Sequence, residues 1–185
     1  MVKLLLERNG VDANLKDHSG QTPLWRVADR GDEAVVRLLL ERNDVDANLK
    51  DYSGQTPLRR AADRGDEAVV KLLLERNDVD ADPKDICRRT PLSSAADKGY
   101  KAVVKLLLER NGVDADLKDR SGRTPLWRAA DRGDEAVVKL LLERNDVNAD
   151  LKDSSGQTPL WRAADGGHKA VVKLLFGAQR RRRRL

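Results

Sequence analysis

Between the acidic pair Asp32-Glu33 and the polar run Glu41-Arg42-Asn43 lies an apolar face of Val35, Val36, Leu38, Leu39 and Leu40. That face is too wide for one contact, so the helix it predicts must touch its own partner helix and both neighbours. Asp32 and Glu33 place negative charge at the positive end of this helix. Arg37 stands four residues from Glu33 and Glu41, which gives favourable pairs on the outward side. Asn43 is the expected left-handed cap. Ahead of it, Leu24, Val27 and Ala28 predict a shorter helix. Thr22 caps it through its hydroxyl, Pro23 fits its first position, and Gly31 closes its last turn. Ser19-Gly20-Gln21 supplies the preceding turn, and Asp44 to Lys50 forms a polar connector to the next one.

The pattern recurs. Thr-Pro-Leu falls at Thr22, Thr56, Thr90, Thr124 and Thr158, each 34 residues after the last. A strict period of this length marks stacked supersecondary units, each too small to bury its own apolar face. The expected division is a partial leading repeat at 1–17, repeats at 18–51 and 52–85, and a divergent repeat at 86–119. A repeat at 120–153, a terminal repeat at 154–179 and an Arg-rich tail at 180–185 complete it. Met1 to Asn9 matches only a second helix, and Leu174-Leu175-Phe176 is followed by no polar cap. Because solenoid ends ordinarily need a polar outer face, a piece of a longer array is the expectation.

Several pieces of each unit resemble the ankyrin repeat: Gly20-x-Thr22-Pro23-Leu24, Ala28-x-x-Gly31, Val35-Val36-x-Leu38-Leu39-Leu40, and the Val-Asp-Ala connector at Val45. The resemblance recurs five times and covers nearly the whole chain. Two departures stand out. The period is 34 instead of the usual 33, and Trp25, Arg59, Ser93, Trp127 and Trp161 replace the His that typically follows Thr-Pro-Leu. The resemblance implies an all-α, ankyrin-type helical solenoid with projecting turns. It also implies a concave, protein-binding surface made by inner helices and turn tips, without naming the partner.

The repeat at 86–119 is the irregular one. Ile86-Cys87-Arg88-Arg89 replaces the Ser-Gly turn, so Arg88 stands where Gly54 and Gly122 stand elsewhere. A positive φ there costs a non-glycine residue about 1 kcal/mol, so a reshaped finger is expected. Pro83 replaces Leu49 and Leu117, and Tyr100-Lys101 replaces Asp-Glu. Drift in a repeat held by its neighbours outweighs a specialised contact site here.

Composition alters this picture little. Hydrophobic residues make up 39% of the 185 residues but aromatics only 3%, which suits thin stacked helices. The net charge of +5 comes from Arg180 to Arg184; without them 31 cations face 31 acids. The charge therefore describes a tail, not a basic binding face. Cys87 is the only cysteine, so no intrachain disulfide framework exists. The first residues offer only Leu4-Leu5-Leu6 before Glu7 and Arg8, and every apolar run is short. No signal peptide or membrane span is expected. An intracellular, cytoplasmic setting follows, with the nucleus as an alternative through the tail.

Chemistry-bearing patterns are sparse. Asp78-Val79-Asp80-Ala81-Asp82 has the alternating carboxylates of a calcium loop, but Pro83 and Arg89 stand where Gly and Glu are needed. His18, His168 and Cys87 have no zinc spacing; His18 reads as a turn-tip residue and His168 takes the place of Asp32 and Asp66. Nucleophile and phosphate-loop motifs are missing. The reading is non-enzymatic, with no cofactor, no metal and no small-molecule substrate.

The partner is expected to be another protein. Turn-tip residues Tyr52, Gln55, Ile86, Arg89, Arg120 and Arg123 are the first candidates for contact, followed by Trp25, Arg59 and Trp127. The tryptophans have a competing reading as packing residues, with Trp25 against Arg59 as a cation–π pair. Arg59 and Ser93 at the same position argue against a tightly enclosed site. The pairs Asp29-Arg30, Asp63-Arg64, Asp97-Lys98 and Asp131-Arg132 read as a self-compensating ladder, or as a groove for a charged peptide. Two alternatives to the interaction module remain: an adaptor reaching nucleic acid or the nucleus through its tail, and the targeting arm of a larger protein.

Overall fold

The computed structural model describes residues 12–182, with side chains through Arg180. The described residues form ten α-helices and no strand: α1 (Pro23–Arg30), α2 (Glu33–Leu40), α3 (Pro57–Arg64), α4 (Glu67–Glu75), α5 (Pro91–Lys98), α6 (Lys101–Glu109), α7 (Pro125–Arg132), α8 (Glu135–Glu143), α9 (Pro159–Asp165) and α10 (Lys169–Arg182). The expected second helix at Met1 to Asn9 and the tail residues Arg183 and Arg184 lie outside the described residues.

Local chemistry sets each helix start. Thr22 Oγ1 accepts from the Trp25 amide at 3.2 Å, and Asp32 Oδ1 accepts from the Val35 amide at 3.1 Å. Gly31 closes α1 with φ 71°. The second helices end differently from the expectation. Asn43 is not left-handed, since Arg88 is the only non-glycine residue with positive φ among those described. The second helices α4, α6 and α8 instead end in an extended Arg, as at Arg76 (φ −80°, ψ 132°). Arg76 and Arg144 then grip the carboxylate two residues on, at Asp78 and Asp146. That ion pair closes the turn without a strained residue.

The helices form two layers. Each of α1, α3, α5 and α7 packs on the next member of the series that ends at α9, and all five pack on their own second helices. Leu24, Leu58, Leu92 and Leu126 from the first layer, with Leu39, Leu73, Leu107, Leu141 and Leu175 from the second, are almost fully buried. Each such burial contributes about 1.5–3 kcal/mol. All belong to one continuous core running from Ala13 to Leu175, so no repeat owns a core of its own. Buried Ala28, Ala62, Ala96 and Ala130 let first helices pack more extensively on one another than the Leu-rich second helices do. The stack therefore bends toward the first-helix layer, which lines its inner side.

Outside the helices the repeats are joined by hydrogen-bonded rungs. Asp51 Oδ1 accepts from the amides of Ser53 and Gln55, which folds the turn. Successive tips are then stitched together: the Tyr52 amide donates to the Ser19 carbonyl at 3.2 Å, Ile86 to Ser53 at 3.1 Å, Arg120 to Cys87 at 3.0 Å and Ser154 to Ser121 at 2.9 Å. A side chain at Gly54 would meet the backbone of Asp85 and Ile86 at 3.0–3.2 Å, and its φ is 75°. Arg88 keeps that same conformation, with φ 62°, and its amide bonds to Asp85 O at 2.8 Å as Gly54 does to Asp51 O at 2.9 Å. The expected reshaping of the middle finger does not occur. Its neighbours hold the turn, and Arg88 bears the strain.

A candidate protein-binding surface

The turn tips carry the most exposed large side chains on this edge. Tyr52 is 73% exposed and Ile86 55%, and Arg120 is exposed at the equivalent place one repeat on. Each backbone is fixed by the rungs just described, so the tips are presented on a rigid edge. Gln55, Arg89 and Arg123 are half-buried, and the side chains of the two arginines are already engaged. The Gln55 backbone carbonyl accepts from Trp25 Nε1 at 3.1 Å. Arg89 Nε donates to Asp85 at 3.1 Å. Arg123 lies over the Trp127 ring at 4.5 Å.

The remaining three candidates are inside the molecule. Trp25 is 5% exposed, Trp127 3% and Arg59 1%, so as the chain is folded they offer a partner almost no surface. The site they share lies between consecutive repeats and is enclosed whichever residue fills it, Ser93 included. This overturns the argument that Arg and Ser there imply an open position. Trp161 is exposed, because among the described residues no following turn covers it. The cation over the Trp25 ring is Arg60, at 5.6 Å, not Arg59.

Arg59 has a different role. Its guanidinium lies 3.3 Å from Asp85 and 3.5 Å from Asp63. Burial pushes its pKa down, against the pull of Asp63 and Asp85. Asp85 also accepts from the Cys87 and Arg89 amides, so one buried carboxylate ties the irregular turn to the repeat before it.

The acidic row of the first helices is also paired otherwise than expected. Asp29 meets Arg60 of the next repeat at 2.6 Å, Asp97 meets Arg128 at 2.8 Å, and Asp131 meets Arg162. The relevant spacing is 31 residues, across the repeat boundary. Asp63 turns back to Arg59 and Arg60, because Ser94 occupies the place where the other repeats have Arg. Arg128 is held twice, by Asp97 and by Asp119 at 2.5 Å. Arg30, Arg64, Lys98 and Arg132, the neighbours expected to close the ladder, are exposed and enter no ion pair among the described residues.

Connector carboxylates do structural work. The Asp82 amide donates to Asp80 at 2.9 Å, and Asp82 accepts from the Asp114 amide at 2.7 Å. Burial holds the Asp82 carboxyl above its ordinary value. Among the described residues no group of His, Cys, Asp and Glu is placed to hold a metal ion, and no helix is long and apolar enough to cross a membrane. His168 opens α10 as expected, with Nε2 3.0 Å from the Asp131 carbonyl. The second-helix side carries a shallow open groove between Lys101, Glu135, Lys139 and Leu140.

A family model for ankyrin repeats, in three copies, matches residues 1–86, 59–153 and 92–181. A comparison with curated proteins found no match. Paired helices, stitched turn tips and a shared core between units agree with that family match, and the chain belongs to the ankyrin-repeat family.

Proposed function

We propose that the chain is a non-enzymatic interaction scaffold that grips another protein with its turn tips and the inner face of its first helices. Ankyrin repeats are generally protein–protein interaction modules and typically not enzymes. The observation that carries the reading is the exposure of Tyr52, Ile86 and Arg120 on a backbone that the tip-to-tip hydrogen bonds fix in place. A large apolar or aromatic side chain left on a rigid edge loses little entropy when a partner covers it, which is how hot spots gain affinity. Arg89 and Arg123 add half-exposed cations alongside, each anchored by Asp85 or Trp127.

The test is a partner recovered by the intact chain, measured against two surface variants. One replaces Tyr52, Ile86 and Arg120 by Ala; the other replaces Lys71 and Lys139 on the second-helix side by Ala. Loss of binding with the first and retention with the second is expected. The reverse pattern overturns the proposal.

A further inference from the structure

The inner side of the stack carries a column of cations that the fold leaves unused. Arg30, Arg64, Lys98 and Arg132 each end a first helix, one per repeat, and all four are exposed. The adjacent carboxylates would neutralise them if they paired as neighbours in sequence. They do not: Asp29, Asp97 and Asp131 are taken by Arg60, Arg128 and Arg162, and Asp63 by Arg59 and Arg60. Because the rungs between repeats consume the acidic row, the four cations enter no ion pair within the described residues. The column stops at the fifth repeat, where Gly166 takes the place of Arg132.

We infer that this column is a docking rail for an acidic, extended segment of a partner protein, an inference that rests on the interaction reading above. Stacked helices lie about 8–10 Å apart, so the cations recur at about that spacing. A segment in the extended polyproline II conformation advances about 3.1 Å per residue and brings every third side chain to the same face, so carboxylates at every third position match the column. Three such intervals span a segment of about ten residues. A nucleic acid fits worse. Its charges are far denser than one per ~10 Å, and the half-buried carboxylates beside the column repel a continuous polyanion. Of the tryptophans on the first helices, Trp25 and Trp127 are buried and Trp161 alone is exposed, so no series of open rings accompanies the column to stack on successive bases.

The experiment uses the full chain and two synthetic peptides of about ten residues and equal composition. One carries Glu at every third position; the other carries the same glutamates in a block. The spaced peptide is expected to bind on the order of 10-fold tighter, because only it meets all four cations without bending. Replacing Arg30, Arg64, Lys98 and Arg132 together by Gln is expected to weaken that binding on the order of 30-fold, about fourfold the contribution of one exposed pair. Arg64→Gln alone is expected to weaken it about 2–3-fold, which keeps the test open if the combined variant folds poorly. Equal affinity of the two peptides overturns the inference, as does binding indifferent to these four residues. Tighter binding of oligodeoxythymidylate through the same residues also overturns it. A partner that depends on Tyr52, Ile86 and Arg120 but ignores the four cations sinks this inference and leaves the interaction reading standing.

Discussion

The Arg59 guanidinium and the Asp85 carboxylate meet at 3.3 Å with both side chains buried, at a position that Trp25 and Trp127 fill in other repeats. A buried ion pair contributes little net stability, because desolvating two charges offsets most of their attraction. Breaking it is another matter. Asp85→Asn leaves Arg59 in the interior with only Asp63 nearby and is expected to destabilise by about 3 kcal/mol. Arg59→Trp, which restores the commoner side chain, is expected to be neutral or stabilising when Asp85 is kept, since Asp85 retains Arg89 and two amides. Urea unfolding of both variants decides it; a harmless Asp85→Asn refutes the account.

Equivalent tryptophans should differ sharply in cost. Trp127 is 3% exposed between repeats and Trp161, in the last repeat, is 47% exposed. Trp127→Ala is expected to cost about 3–5 kcal/mol through lost burial and the cavity left behind. For Trp161→Ala the expected cost is below about 1 kcal/mol. Thermal unfolding of the pair is the check, and equal losses would show that repeat context does not decide this position.

Arg88 holds φ 62° where Gly54 has φ 75° and Gly122 has φ 73°. Arg88→Gly removes the steric strain while adding freedom to the unfolded chain, for a net stabilisation of up to about 1 kcal/mol. The midpoint of chemical unfolding reads this directly, and a destabilised variant contradicts it.

Asp82 occupies the connector position where Asn14 and Asn48 both accept from an amide of the next repeat and donate to one of its carbonyls. A carboxylate accepts but cannot donate. Asp82→Asn is therefore expected to stabilise by about 1 kcal/mol at neutral pH. Burial raises the Asp82 pKa above the ordinary 3.8, so the folded chain holds this proton to higher pH than the unfolded chain does. Its favourable contribution is present at low pH and lost as pH rises through the folded value. The advantage of the Asn variant should shrink as pH falls toward 3.8 and be full at neutral pH. Asp78 and Asp146 behave oppositely. Hydrogen bonds from Arg76 and Arg144 lower their pKa values, and the stability they confer is lost as pH falls below the ordinary range.

Helix pairs, their Thr and Asp caps, the glycine-closed first helices and the shared core were all legible in the chain. Each depends on residues within about one helical turn of each other, or on a period repeated five times. The exposed tips Tyr52, Ile86 and Arg120 were legible for the same reason, since a turn that recurs with the repeat must project the residues at its tip. Only the tertiary structure decided what crosses the repeat boundaries. Asp29 has Arg30 beside it in sequence, yet it pairs with Arg60, because stacking brings the fourth residue of one first helix against the seventh of the one before. Burial of Trp25, Trp127 and Arg59 at one enclosed position followed from the same stacking, as did the left-handed Arg88 held by turns on either side. Local spacing fixes which residues share a helix face, but several cations stand within reach of each carboxylate. The choice among them is made by the offset between neighbouring units, which short-range pattern does not encode.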